Sequence, residues 1–276
     1  NTHTSALTSS SARAALVNTK VLSLRKKGRH ASSSSSSSGK QTKKQTMIIK
    51  AVSNSVTPDN DWGESTQAVH NGERGGRPRI SDSLTTPIVC TSTYTFKDTQ
   101  ELIDYQEGNY GSFEYGRYGN PTTRAAEEKI RLLEGGDDCL LSASGMCTAV
   151  TMLLSLVPAG GHIVTTTDCY RRTRQFIQTF LPKMGITSTV LDPSDYDGLQ
   201  KALDEHDCSL YFSESPTNPY LRCVDIDRIS KMCKPKGCLV CIDGTFATPC
   251  NLKPLKFGAD LVIHSASKYM GRHNDV

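Results

Sequence analysis

From Cys139 to His264, short apolar runs alternate with stretches of helical periodicity, and this alternation leaves few architectures open. The runs expected as strands are Cys139 to Ala143, Ile163 to Thr166, Ser188 to Leu191, Leu210 to Phe212, Cys238 to Ile242 and Leu261 to His264. Between them, Gly145 to Val157, Arg171 to Phe180, Tyr196 to Glu205 and Ile226 to Cys233 read as helices. In the first of these, Val150, Leu153, Leu154 and Val157 recur at helical spacing. Short apolar strands alternating with helices imply an α/β fold, a mostly parallel sheet covered on both faces. Ligands of such sheets sit at the carboxyl ends of the strands. The residues that close each run are therefore the candidates for chemistry.

Upstream the pattern is looser. Trp62 to Thr93 is polar and reads as an extended arm with little regular structure, and Phe96 to Glu107 as a short helix. A Gly- and Tyr-rich loop, Gly108 to Pro121, follows. Thr122 to Glu134 reads as a helix, opened by Pro121 and stopped by Gly135-Gly136, with Ala125, Ala126, Ile130 and Leu133 near one face.

Charge divides the chain. Residues 1–58 hold ten Lys and Arg and no Asp or Glu; the remainder holds 22 basic and 28 acidic groups. The basic balance thus belongs to a leader, and it does not point the rest of the chain to nucleic acid. The leader is serine-rich, with an unbroken run from Ser32 to Ser38. Such a segment cannot bury enough apolar surface to offset its ordering entropy, so it is expected to be disordered. Basic, hydroxyl-rich and free of acids is the composition of an organelle transit peptide, and a chloroplast destination is expected. The alternative is a basic tail that binds anions. No run of about 18 apolar residues is present, so no membrane helix is expected. The ten cysteines are scattered rather than framed for disulfides. Cys238 and Cys241 form a CxxC with no second ligand pair, and Cys241 lies inside an apolar run. A core role is expected, and no metal.

Two strand ends stand out. Asp243 closes Leu239-Val240-Cys241-Ile242, and Lys268 follows Leu261-Val262-Ile263-His264 by four residues. A lysine there can hold an aldehyde cofactor as a Schiff base. An aspartate can pair with the protonated pyridine nitrogen of pyridoxal phosphate. Singly, Lys268 reads as a surface charge and Asp243 as a helix cap. Ser142-Ala143-Ser144-Gly145-Met146 joins a strand to a helix, whose free N–H groups and dipole suit a phosphate. Ser265 and Ser267 add hydroxyls beside Lys268, and Arg117 could fork onto the same anion. Tyr170, after another strand, could stack on a ring. Asn218, in Glu214-Ser215-Pro216-Thr217-Asn218-Pro219, could aim a donor at a ring oxygen or serve only the turn. No G-x-G-x-x-G follows a strand, which weakens a dinucleotide reading.

Taken together, Tyr115-Gly116-Arg117 with Gly119-Asn120-Pro121-Thr122, Ser144-Gly145-Met146, the Glu214–Pro219 motif, Asp243-Gly244-Thr245-Phe246 and Ser265-Ala266-Ser267-Lys268 resemble the Cys/Met-metabolism family of pyridoxal-phosphate enzymes. The resemblance runs from about Ser65 to Val276 and is nearest to the plant-type branch that forms cystathionine. It implies the fold type I of pyridoxal-phosphate transferases. It makes Lys268 the Schiff-base lysine and proton shuttle, Asp243 the pyridinium partner and Tyr170 the stacking ring. Gly145, Met146, Ser265 and Ser267 would bind phosphate, and Asn218 and Thr245 would complete the cofactor set. Tyr115 and Arg117 would reach a neighbouring subunit's phosphate, which implies a homodimer or homotetramer. Tyr170 and Tyr115 join Lys268 as catalytic candidates.

The implied domains are a leader (1–58), an arm serving the neighbour's site (59–120) and a cofactor-binding large domain (121–276). The family's C-terminal small domain, with the arginine that grips the substrate carboxylate, is expected to be missing. The implied reaction joins L-cysteine to an O-activated homoserine, O-phosphohomoserine in a plastid enzyme, by γ-replacement in methionine biosynthesis. A γ-lyase or a homoserine sulfhydrylase of the same family is the alternative. A non-catalytic truncated product is the alternative of another class. Amino-acid substrates are expected as partners, with no nucleic acid and no membrane. Arg272, where the family commonly carries glycine, has no assigned role.

Overall fold

The computed structural model describes residues 22–24, 63–70 and 84–271. Seven strands occur among them: β1 (Leu22–Leu24), β2 (Cys139–Leu140), β3 (His162–Thr166), β4 (Thr187–Leu191), β5 (Cys208–Glu214), β6 (Leu239–Asp243) and β7 (Leu261–Ile263). They form one sheet in the order β2-β1-β7-β6-β5-β3-β4. Every neighbouring pair from β7 to β4 is parallel. β1 runs antiparallel to both β2 and β7.

The strand side chains divide by the period of two. Ile163, Leu210, Phe212, Cys241, Leu261 and Ile263 face one side, against Ala149, Met152, Leu153 and Val157 in and just after α4 (Gly145–Leu156). α4 follows α1 (Glu64–His70), α2 (Thr99–Glu107) and α3 (Pro121–Glu134). Val164, Tyr211, Val240 and Ile242 face the other side, against α6 (Tyr196–Glu205) and α7 (Ile226–Cys233). Both faces are therefore dry, as the apolar runs require. α5 (Arg171–Gln175) and α8 (Thr248–Asn251) are short.

Side-chain caps set the helix starts. Asp98, Asn120, Ser144, Asp195 and Asp225 each accept from a backbone N–H two or three residues on. Each cap stabilises its helix by about 1 kcal/mol. Asn120 also donates to the Val89 carbonyl at 2.8 Å, and Thr122 donates to the Pro87 carbonyl at 2.8 Å. These bonds fasten the arm to the start of α3.

Three expectations need correction. Within the stretch read as an extended arm with little regular structure, Glu64–His70 is helical and packs against α3. An ion pair from Lys253 to Glu64 holds its first turn. The expected helix from Arg171 to Phe180 is α-helical only to Gln175 and widens to π geometry over Phe176–Phe180. Leu181 N–H donates to the Phe176 carbonyl five residues back, and the helix does not continue through Pro182, which has no N–H to return to the preceding turn. In the leader, read as disordered, the backbone of Leu22–Leu24 pairs with strands on both sides, satisfying two edges that would otherwise be open. Most of the leader, part of the arm and Arg272 lie outside the described residues.

One face of α3 carries a buried charge cluster. Arg124 reaches Glu127 at 3.4 Å, Glu128 at 2.8 Å and Asp138 at 3.0 Å, and Arg131 reaches Glu128 at 2.8 Å. Glu127 accepts the Leu141 N–H at 2.9 Å and so holds the approach to α4. Burial outweighs these partners and pushes the Glu127 carboxyl up to about 7. The folded protein thus holds a proton there more tightly than the unfolded chain. The resulting stability is complete below the ordinary value of 4.5 and is lost as pH rises through about 7. Glu127→Gln, which keeps the acceptor without the charge, should gain about 1–3 kcal/mol on wild type between pH 5 and pH 8. Urea denaturation at the two pH values measures it; a pH-independent difference would contradict the buried-carboxyl reading.

Candidate active site

Parallel register brings the acidic strand ends to one level. Glu214, last in β5, pairs with Asp243, last in β6, and Asp243 pairs with Ile263, last in β7. Beyond these ends lies a cleft of about 660 Å³. Its lining includes nine of the residues expected from sequence: Gly145, Met146, Tyr170, Asn218, Asp243, Thr245, Ser265, Ser267 and Lys268. Tyr115 and Arg117 are not among the lining residues. Instead the Arg117 guanidinium lies over the Tyr115 ring, 4.6 Å from its centroid.

Asp243 is 3% exposed, and a buried carboxylate requires donors. Thr245 supplies two, its N–H at 3.1 Å and its hydroxyl. The Thr245 oxygen in turn accepts the Ser265 N–H at 2.8 Å. One hydroxyl therefore links the end of β6 to the segment that carries Lys268. That segment turns tightly, with Lys268 N–H donating to the Ser265 carbonyl at 2.9 Å and Gly271 N–H to the Ala266 carbonyl at 2.7 Å. The turn presents Ser265, Ser267 and Lys268 to the cleft.

Across the cleft, Ser144 accepts the Cys147 N–H at 3.1 Å and begins α4. The helix opens at Gly145 and Met146, where first-turn N–H groups lack intrahelical partners. Thr173 donates to the Met146 sulfur at 3.6 Å and steadies that wall. Such a helix start suits an anion.

Glu214 escaped the reading of the sequence, although its motif was quoted. It is 4% exposed. One carboxylate oxygen accepts the Tyr170 N–H at 2.6 Å, and the other accepts the Asn218 N–H at 3.1 Å. A single side chain thus fixes both the aromatic wall and the amide. The available signal was an acid closing an apolar strand. Ser144, Phe246 and Tyr269 also line the cleft and were not anticipated there, with the last two rings 6.0 Å apart. Cys169, beside Tyr170, is buried. Burial, reinforced by the Glu214 charge, pushes its thiol up to about 12.

Behind the lysine turn, His264 and Glu134 pair through Nε2 and Oε1, both fully buried. The His264 ring also fills the space beside Gly244, where an added Cβ would lie 2.8 Å from Cε1. Gly244 is therefore required by close packing.

A lysine, a buried carboxylate, an aromatic wall and a helix-N-terminal anion pole, all at the carboxyl ends of a parallel sheet, characterise the class of proteins that hold a phosphorylated aldehyde cofactor with a basic ring nitrogen. Comparison with known proteins narrows the class. The Cys/Met metabolism PLP-dependent enzyme family matches residues 65–276, and the chain belongs to that family. It is 63% identical over 213 residues to cystathionine gamma-synthase 1, chloroplastic, of Nicotiana tabacum, covering 77% of this chain and 39% of that protein. It is 57% identical over 204 residues to a probable cystathionine gamma-synthase 2 of Arabidopsis thaliana, covering 74% and 50%. The chain thus spans half or less of the length of these relatives. The crystal structure of metB from Corynebacterium glutamicum superposes with a TM-score of 0.72 at 33% identity, covering 79% of this chain and 54% of that one. A putative O-acetylhomoserine (thiol)-lyase of Campylobacter jejuni, solved with a pyridoxyl-lysine monophosphate residue, superposes at 0.68 and 28% identity, covering 76% and 51%.

Thr245→Val should destabilise the fold by about 1–3 kcal/mol, because Asp243 and the Ser265 N–H each lose a buried partner. Thr245→Ser should recover most of the loss. Denaturant melts of both variants measure this, and a neutral Thr245→Val would remove the link between the strand ends.

Proposed function

We propose that this protein uses pyridoxal phosphate to join L-cysteine to O-phosphohomoserine, forming cystathionine and releasing phosphate. One observation carries the reading: Lys268, Asp243, Tyr170 and the α4 N-terminus converge on a single cleft, in a chain 63% identical to a plant cystathionine gamma-synthase over the matched residues. The residues suit the cofactor's parts. A buried acid suits a ring nitrogen, a ring wall suits a pyridine face, and free N–H groups with two serine hydroxyls suit a phosphate.

When bound, pyridoxal phosphate supplies a carbonyl for amines and a ring that draws electrons from the substrate's Cα. Lys268 Nζ would hold the cofactor through its carbonyl group and would move the substrate's Cα proton. Asp243, kept in place by Thr245, would pair with the protonated ring nitrogen. Tyr170 would cover the ring and, with Tyr115, would complete the catalytic set. Gly145, Met146, Ser265 and Ser267 would hold the cofactor phosphate, and Asn218 would donate to the ring oxygen. Tyr115 and Arg117, which do not line the cleft of their own chain, would serve that of a neighbouring subunit in a homodimer or homotetramer. The acid-free leader supports a plastid location.

Purified protein titrated with pyridoxal phosphate should develop a visible absorption band, absent in Lys268→Ala. That variant should also lose about 10²–10⁴-fold in cystathionine formation from O-phosphohomoserine and cysteine. Release of oxobutyrate without condensation would replace the synthase with a γ-lyase. Use of sulfide in place of cysteine would point to a sulfhydrylase.

A further inference from the structure

We propose that Arg222 is a positioning residue that locks the Asn218 loop to the rim of the cleft. The proposal rests on the cofactor reading above and deepens it. The loop from Thr217 to Arg222 closes on itself. Thr217 N–H donates to the Arg222 carbonyl at 2.8 Å, Leu221 N–H to the Thr217 carbonyl at 2.8 Å, and Arg222 N–H to the Thr217 hydroxyl at 3.0 Å. Leu221 occupies the left-handed region with φ 56°, a conformation a leucine adopts only when its surroundings enforce it. The outer residues of the loop do not enforce it, since Tyr220 is 72% and Leu221 58% exposed.

The Arg222 side chain ties this self-closed loop to segments outside it. One terminal nitrogen donates to Asp168 at 3.1 Å and to Asp192 at 2.8 Å. The other donates to the second Asp192 oxygen at 2.5 Å and to the Ser194 hydroxyl at 3.3 Å. Asp168 is buried and lies two residues before Tyr170; Asp192 and Ser194 follow β4. One guanidinium therefore ties together the segments after β3, β4 and β5. A lone surface ion pair contributes little, but this fork is bidentate, includes a buried acid and spans three segments. Lysine could not reproduce it, because an ammonium is a point charge without the planar fork. Arg222 meets no part of the cleft directly. It acts through Asn218, whose N–H is held by Glu214, and through Tyr170, held by the same carboxylate.

The test combines a double-mutant cycle with amide exchange, using purified protein and pyridoxal phosphate as the probe. Arg222→Ala should weaken cofactor binding by about ten-fold and shift the bound cofactor's absorption in the same direction as Asn218→Ala. The Asn218→Ala/Arg222→Ala protein should lose less affinity than the sum of the two single losses, the remainder being the share carried through Tyr170. Asp192→Asn, which leaves the arginine in place, should give a smaller loss of the same kind, and Arg222→Lys should not restore binding. In the cofactor-free protein, amide exchange at Asn218 and Leu221 should quicken in Arg222→Ala. Wild-type affinity in Arg222→Ala, fully additive losses, or unchanged exchange would each overturn the proposal. If wild type binds no pyridoxal phosphate, the cofactor reading fails and the positioning role toward it fails too, while amide exchange still decides whether the clamp exists.

Discussion

The shared register of β5, β6 and β7 is the constraint on which the rest of the structure depends. Parallel pairing of Glu214 with Asp243, and of Asp243 with Ile263, makes three strands stop at one height. A one-residue slip would turn every side chain to the opposite face and exchange Phe212 for Tyr211 on the face packed against α4. It would also carry both acids out of the cleft lining. The hydrophobic pattern that stabilises the sheet therefore also aligns the cleft, and packing and cleft geometry cannot be separated at these positions.

Two buried carboxylates side by side would be costly without partners. Each here has donors of its own. Asp243 takes the N–H and hydroxyl of Thr245, and Glu214 takes the N–H groups of Tyr170 and Asn218. These donors come from loops, so the acids organise loops as much as they offer charge. The site is a set of loop residues referred back, through short hydrogen bonds, to a rigid sheet edge.

Much of this was legible in the sequence, for identifiable reasons. Strands with both faces buried read as continuous apolar runs, and Tyr196–Glu205 and Ile226–Cys233 match their expected bounds because an aspartate caps each start and an amphipathic face fills each length. Lys268, Asp243 and Gly145 were legible because strand ends are where such sheets do chemistry. The helix at Glu64–His70 was not, because its packing on α3 and its ion pair with Lys253 are distant in sequence. The role of Glu214 was hidden likewise, since its partners, 44 residues back and four residues ahead, meet only when β3 and β5 pair. The Arg222 fork depends on acids 54 and 30 residues away. Local periodicity carries no record of such meetings.

The pairing of Glu134 with His264 sets a distance. Glu134 ends α3, and Pro121, where α3 begins, directly follows the Gly/Tyr loop. A helix of 14 residues is about 21 Å long. With its far end pinned behind the lysine turn, α3 is a spacer between that turn and the point where the loop is anchored. The length of one helix therefore sets how far from Lys268 the segment carrying Tyr115 and Arg117 is tethered.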